Sequence, residues 1–415
     1  MNSIIPDKIC LVKKYLSLFV LNYIRFFAKL QLKKIHFLQK KKHKQLDIVG
    51  ITGSAGKSST LLACQSVFPK NIKVKTNNGC NSESGLPLSF LDLKINDYNP
   101  ISWLKILILA PIKYLTNWKS YDVLILEMGI DSASWPKNMD YLLSIVKPNI
   151  GIFLNVSSVH MMCFDSLDQI ATEKSKLVNQ AKVAIINPHD KLVIKYTTNQ
   201  NIINLDPTNI KFKNFFLPPV YDIGFGAALS LAKLFNIPQK QAIENIQNNF
   251  SLPPSRSSIL KGVKDTTIID SSYNSSPLAC QELLKFLSTF KTKKIAILGD
   301  MRELGKSTPF EHRRIYEIAT KSADIIISVG PQTKKYFGSK SQKFTYWWQA
   351  VNYLQDTIKG SETILIKGSQ NTIYLEELIK TILSDPKDSS KLCRQSPWWL
   401  KTKEKFKNEN QSSTL

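Results

Sequence analysis

The sequence predicts an α/β protein with two successive domains built on mostly parallel sheets, the first carrying a phosphate loop, preceded by a basic amphipathic helix. Three observations predict it. From residue 47 onward, short and continuously apolar runs alternate with helical patterns, as in buried parallel strands joined by crossover helices. A proline break, LPPSR at residues 252–256, interrupts the alternation, which then restarts. Before all of this, residues 1–44 carry eleven Lys or Arg against one acid, Asp7.

Length and composition set the frame. At 415 residues the chain is long for one core, so two or three domains are expected. An apolar content of 43% with 21% charged residues is that of a folded protein. Six scattered cysteines, with no CxxC pair and no metal-type spacing, fit a reduced, cytoplasmic chain. The net charge of +24 reflects a Lys-, Asn- and Ile-rich composition throughout, or else an anionic substrate, nucleic acid or an acidic membrane face. Nucleic acid is not expected, because the basic residues are spread rather than interleaved with aromatics on one platform.

The elements run in order along the chain. In residues 1–45 the stretch YLSLFVLNYIRFFAKLQL is apolar but broken by Asn22, Arg25 and Lys29, and it has no small-residue cleavage site. It reads as a basic helix, either lying on an anionic membrane surface or docked on the rest of the protein. ISWLKILILAPIKYLTNW at residues 101–118 shares that character, and no run reaches the ~18 uninterrupted apolar residues of a spanning helix. Residues 46–253 form the first domain, with DIVGI, DVLILEMG, IGIFLNV and VAIINP as strands and a helical hairpin around Pro238 at its end. Residues 254–385 form the second, with strands TTIIDSSYN, KIAILGDM, DIIISVG and ETILIKGS. The tail, residues 386–415, is polar and expected to be disordered apart from SPWWL.

The chemistry begins in DIVGITGSAGKSSTLLACQSVF, residues 47–68. An apolar strand runs into Gly50, Gly53 and Gly56, then Lys57 and Ser58, then a helical pattern. Glycines let backbone N–H groups converge on phosphate oxygens, and the helix N-terminus adds its dipole. In such a loop Gly53, Ser54, Ala55, Gly56, Lys57, Ser58 and Ser59 face the phosphates, Lys57 reaching the β/γ oxygens and Ser58 the Mg²⁺. A phosphate loop alone leaves kinase, GTPase, helicase and ligase open.

Six further stretches come in order: TNNGCNSESGLPLSF (76–90), LILEMGID (124–131), NVSSVHMMCFDSLDQIATEKSKL (155–177), IIDSSYNSSP (268–277), AILGDMRELG (296–305) with His312, and ILIKGSQNT (364–372). With the phosphate loop they resemble the Mur ligase family, ATP-dependent amide-forming enzymes of peptidoglycan synthesis. YN followed by Pro, and GDM.ELG with a later His, are similar to the branch that adds D-alanyl-D-alanine to UDP-N-acetylmuramoyl-tripeptide. The resemblance covers roughly residues 47–383. It implies a central phosphate-loop ATPase domain and a C-terminal Rossmann-like domain, acting on ATP, a muramyl peptide and D-Ala-D-Ala through an acyl phosphate. Such a reaction brings anions together and needs cations between them.

The resemblance assigns roles residue by residue. Glu127 holds a Mg²⁺ near the γ-phosphate. His160 matches a second metal position, and Lys174 the lysine that the family carbamylates, with Lys176 a nearby competitor on the same helix. Asn81 and Glu83 match a substrate-side loop. Arg256, Asp270 and Asn274 match nucleotide contacts from the second domain, and Lys367 and Ser369 a contact to anionic substrate. Asp300, Glu303 and His312 are expected near domain closure or the amine substrate. The chain departs from the branch at Ser271, where a second Asp is usual, and at Gln370, where an Arg is. Only 46 residues precede the first strand, where the branch has a UDP-gripping domain. A UDP-linked or a lipid-linked muropeptide both stay open, as does a peripheral contact with the inner face of the plasma membrane through residues 1–44 and 101–118. The rival classes are another Mur-like ligation and a nucleic-acid-binding ATPase.

Overall fold

The computed structural model describes residues 5–77, 79–95, 99–158, 163–212, 217–251, 254–369 and 372–411, with side chains from residue 17. The chain forms two compact units. One comprises Met1–Val156, Ser166–Thr208 and Ile223–Phe250; the other comprises Ser157–Asp165, Asn209–Asp222 and Ser251–Leu415. The second thus begins beside the proline break, of which Leu252 and Pro253 lie outside the described residues, but it also draws in two earlier segments.

The first unit holds a six-stranded parallel sheet of β1 (Asp47–Thr52), β2 (Val74–Thr76), β3 (Val123–Glu127), β4 (Ile150–Phe153), β5 (Val183–Ile186) and β6 (Ile202–Asn204). The strands lie in the order β2-β3-β1-β4-β5-β6. β1 sits between β3 and β4, with Ile51 opposite Glu127 and Thr52 opposite Phe153. Chain reversals on either side of β1 leave a crevice at the carboxyl ends of these strands, where open α/β sheets bind ligands. The second unit repeats the architecture with β7 (Ser258–Lys261), β8 (Thr267–Ser271), β9 (Lys294–Gly299), β10 (Ile325–Val329), β11 (Ser341–Phe344) and β12 (Thr363–Lys367), in the order β11-β10-β9-β12-β8-β7. Its strands are parallel except for β7, which runs antiparallel to β8.

The first six helices in chain order belong to the first unit: α1 (Ile5–Lys40), α2 (Lys57–Ser66), α3 (Gly85–Phe90), α4 (Pro100–Thr116), α5 (Met139–Ile145) and α6 (Leu167–Gln180). α1 is docked on the unit through Val20, Ile24, Ala28, Leu32 and Ile35, a stripe at near-helical spacing that is almost fully buried. Ile24 packs in one cluster with Ile106 and Ala110 of α4. Polar contacts pin the seam: the Tyr23 hydroxyl donates to the Leu107 carbonyl at 3.1 Å and the Gln31 amide to the Asn117 carbonyl at 3.1 Å. Among the described residues, no helix is long and apolar enough to cross a membrane.

The tail overturns the expectation of disorder. Residues Pro397–Gln411 are a helix, and Arg394 ahead of it is buried in a two-pronged ion pair with Glu376, at 2.7 and 2.8 Å. The same guanidinium donates to the carbonyls of Ser272 and Tyr273. Lys403 reaches the Glu376–Glu377 pair, and Phe406 packs edge-on against Tyr346 and Tyr374. Composition reads this segment as polar because its anchors are charges whose partners are distant in sequence.

Candidate active site

The phosphate loop, residues 53–56, turns from β1 into α2. Gly56 takes a left-handed conformation, φ 81°, which a side chain would strain. No side chain caps α2 and its first turn holds no acid, so the N–H groups and dipole at that end are left for an anion. Asn155, just past β4, braces the loop. Its Oδ1 accepts from the amides of Ser54 and Ala55 at 3.0 and 2.8 Å, and its Nδ2 donates to the Ala55 carbonyl at 3.2 Å. Asn155 opens the stretch at residues 155–177, and its place at the end of a strand next to the phosphate-loop strand is the signal in the sequence for this bracing role.

Glu127 ends β3 and is 3% exposed. Its carboxylate accepts the Ser58 hydroxyl at 2.8 Å and the Asn81 amide at 2.7 Å. Asn77 fixes the backbone beneath it, donating to the Glu127 carbonyl and accepting from the Glu127 N–H. Asn81, expected on the substrate side, therefore belongs to the carboxylate's own setting. The donors here are hard oxygens, which suit Mg²⁺. Thr52, wholly buried at the root of the loop, has an Oγ1 with no partner. Ser58 and Glu127 thus fit a Mg²⁺ ion. His160 lies outside the described residues, and among those described no group of three or more His, Cys, Asp or Glu is set for a metal.

α6 is capped by Ser166, whose side chain accepts from the Gln169 amide. Its buried residues are Ile170, Ala171, Glu173, Lys174, Ser175, Leu177 and Val178, and Lys174 is the one cation among them. Its Nζ donates to the Gly53 carbonyl at 3.1 Å, and Lys57 Nζ donates to the same oxygen at 2.8 Å. Burial, and then the neighbouring Lys57 charge, hold the Lys174 ammonium well below the ordinary lysine range, against the pull of Asp131 and Glu127. Lys176 instead pairs with Asp140 at 2.7 Å and with Glu173 on the helix flank. The geometry therefore separates the two lysines.

Glu83 is half-buried, and its charge acts on Tyr141, whose hydroxyl burial pushes up to about 12. Arg25 of α1 lies 5.2 Å from the Trp135 ring and 5.6 Å from the Tyr141 ring. α1 thus touches the segment that comes after Glu127.

In the second unit, the Arg256 guanidinium stacks 4.4 Å over the Tyr273 ring. Asp270 is fully buried with both oxygens engaged, one by Ser255 at 2.6 Å and the other by the Ser272 amide and hydroxyl. It organises the turn after β8, while Asn274 stays exposed beyond it. Lys367 at the end of β12 is buried and donates to Ser271 Oγ at 3.3 Å and to the Asn274 carbonyl. Ser271, the departure from the family pattern, so leaves this lysine beside a hydroxyl. Burial lowers the Lys367 ammonium to about 8. Ser369 Oγ is buried with no partner, and Gln370 lies outside the described residues. Asp300 and His312 both have structural partners within the second unit. Asp300 caps the helix Pro331–Tyr336 through the amides of Gln332 and Thr333, and His312 accepts from the Met301 amide in the core.

Comparison with known proteins gives matches over both units. The model of the Mur ligase middle domain matches residues 51–211, and that of the Mur ligase glutamate ligase domain residues 255–370. A UDP-N-acetylmuramoyl-tripeptide–D-alanyl-D-alanine ligase of Buchnera aphidicola is 26% identical over 85% of this chain and 79% of its own length. Its namesake from Borreliella burgdorferi is 26% identical over 78% of this chain and 72% of its own. Among solved structures, MurF from Thermotoga maritima in complex with ADP superimposes with a TM-score of 0.68 at 20% identity, covering 86% of this chain and 83% of its own. MurF from Acinetobacter baumannii gives the same TM-score and identity, over 85% and 79%.

Proposed function

The chain belongs to the Mur ligase family, and from that premise we propose that it is an ATP-dependent ligase adding D-alanyl-D-alanine to a muramyl tripeptide. A carboxylate oxygen of the tripeptide attacks the γ-phosphorus of ATP, the bond to the bridging oxygen breaks, and ADP leaves behind an acyl phosphate. The free amine of D-alanyl-D-alanine adds to the acyl carbon and loses a proton. The tetrahedral intermediate expels phosphate and leaves the amide.

One observation carries the reading. At the ends of adjacent strands, two lysines converge on the Gly53 carbonyl while Ser58 and Asn81 converge on Glu127. Lys57 and the open end of α2 would hold the phosphates and offset the charge that develops on them. Ser58 and Glu127 would hold a Mg²⁺, which when bound neutralises and orients phosphate oxygens. The depressed ammonium of Lys174 favours the neutral amine, the form that attacks CO₂ through nitrogen and loses a proton to become a carbamate. That carbamate and His160 would serve a second ion. Glu83, Lys367 and Ser369 are assigned to the substrates and Arg256 and Asn274 to the nucleotide, while Asn81 positions Glu127.

The reading places the chain in the cytoplasm, with peripheral contact to the inner face of the plasma membrane through residues 1–44 and 101–118. The apolar faces exposed there favour a second version, in which the muropeptide is lipid-linked. Incubating the purified chain with ATP, Mg²⁺, D-Ala-D-Ala and either UDP-linked or lipid-linked muramyl tripeptide, and weighing the products, tests both. Lys57→Ala should lower phosphate release by at least about a hundredfold, and turnover equal to the parent's would refute the assignment. Glu127→Gln should raise the Mg²⁺ concentration needed for half-maximal rate.

A further inference from the structure

α4 is apolar on two sides, which in a water-soluble core would call for cover all round. One side is covered, with Ile106 and Ala110 buried against α1. The other is not. Ile101, Leu104, Ile108, Ile112 and Leu115 recur at helical spacing, Trp118 follows just past the helix end, and each is between 46% and 66% exposed. α1, packed alongside, adds Phe19, Phe26 and Phe37, all more than half exposed. Their spacing of seven and eleven residues puts them on one stripe, with Lys33 between them. These nine side chains make up more than half of the large apolar residues that stand exposed on the described surface. A patch of that kind marks a contact with something apolar.

Charge says what. Residues 17–46 contain no acid, and neither do residues 99–121. Lys33, Lys40, Lys41, Lys42 and Lys105 are exposed around the stripes. Apolar rows flanked by lysines, with a tryptophan at one end and Pro111 inside the helix, are the make-up of helices that lie in the interface of an anionic bilayer without crossing it.

We infer that the α1–α4 surface is an interfacial docking site for anionic phospholipid, the outward stripes entering the headgroup–acyl boundary and the lysines meeting lipid phosphates. The inference rests on the membrane-contact part of the proposed function and not on the ligation itself. It names the surface, the side chains and the lipid charge that the contact requires.

The test is co-sedimentation of the full chain with vesicles of phosphatidylcholine alone or mixed with phosphatidylglycerol, at low and high salt. The expected result is salt-sensitive retention on the mixed vesicles only. Ile108→Asp with Leu115→Asp should weaken retention by about tenfold or more. Lys105→Glu with Lys113→Glu should weaken it by about fivefold for each lysine. Both pairs lie on exposed or half-exposed positions outside the catalytic cluster, and ligation of soluble substrates by them should match the parent. Failure of the parent to bind mixed vesicles, or unchanged binding by the Asp pair, overturns the inference. So does a dimer, seen by light scattering, that the Asp pair converts to monomer, because a second copy would then be the cover. A chain that binds vesicles but ligates nothing would sink the ligase reading and leave this one standing.

Discussion

Replacing Lys367 by Met should make the second unit more stable and less useful. Lys367 is a buried ammonium whose ordinary value of 10.5 is lowered to about 8, burial being the main cause. That lowering corresponds to roughly 3 kcal/mol held against folding while the lysine is protonated. Against this, Met leaves the Asn274 carbonyl and the Ser271 hydroxyl short of a donor, which costs about 1–3 kcal/mol. Met has similar length and no charge, so at pH 7 the variant should equal the parent or exceed it by up to about 2 kcal/mol. The sign of the pH dependence is set by the same shift. Between pH 8 and 10.5 the unfolded chain binds more protons than the folded one, so the parent gains stability as pH rises through that window. From pH 7 to pH 9 the parent should close on the variant by roughly 1 kcal/mol. Urea unfolding of both proteins at the two pH values measures this by tryptophan fluorescence, to which Trp347, Trp348, Trp398 and Trp399 of this unit contribute. Parallel pH profiles, or a variant less stable by more than about 2 kcal/mol, would refute the reasoning. Amide formation should fall in the variant regardless, which is what a costly cation retained for substrate implies.

Asn155→Ala removes the acceptor of two loop amides and should weaken nucleotide affinity by about fivefold to a hundredfold, at about 0.5–1.5 kcal/mol per bond; equilibrium dialysis with ADP reads it, and unchanged affinity would mean that the loop holds its shape unaided. Incubation with ¹³C-bicarbonate should label Lys174 and not Lys176, because only the former is buried with a depressed ammonium; carbon NMR of the parent and of Lys174→Ala shows whether the signal is lost. Arg394→Met strands Glu376, which is fully buried, with Lys403 left at 3.5 Å as partial cover. The expected loss is about 3 kcal/mol, the low end for breaking a buried pair, seen as an earlier urea midpoint.

The strands legible in the sequence were the central ones. Runs such as VLILE and IAILG are buried on both faces and read as continuous apolarity. The four that escaped, β2, β6, β7 and β11, are all sheet edges, with sequences VKT, IIN, SILK and SQKF that carry polar residues because one side meets water or a loop. At the site, Lys57, Ser58 and Glu127 were legible because motif and strand end coincide. Lys174 over Lys176 was decided by helix phase, which the spacing of Ile170, Ala171, Leu177 and Val178 already encoded. The bracing by Asn155 and the anchoring of the tail by Arg394 depend on pairings more than a dozen residues apart, as does the Ser255 half of the Asp270 setting, and no local pattern announces them.

Adjacent positions on α1 point to opposite worlds: Arg25 rests on the rings of Trp135 and Tyr141, and Phe26 stands in the open. Residues 7–40 include neither glycine nor proline, so the rod between them has no joint at which to yield. One straight helix therefore carries both the exposed aromatic row and the contact to the segment that follows Glu127.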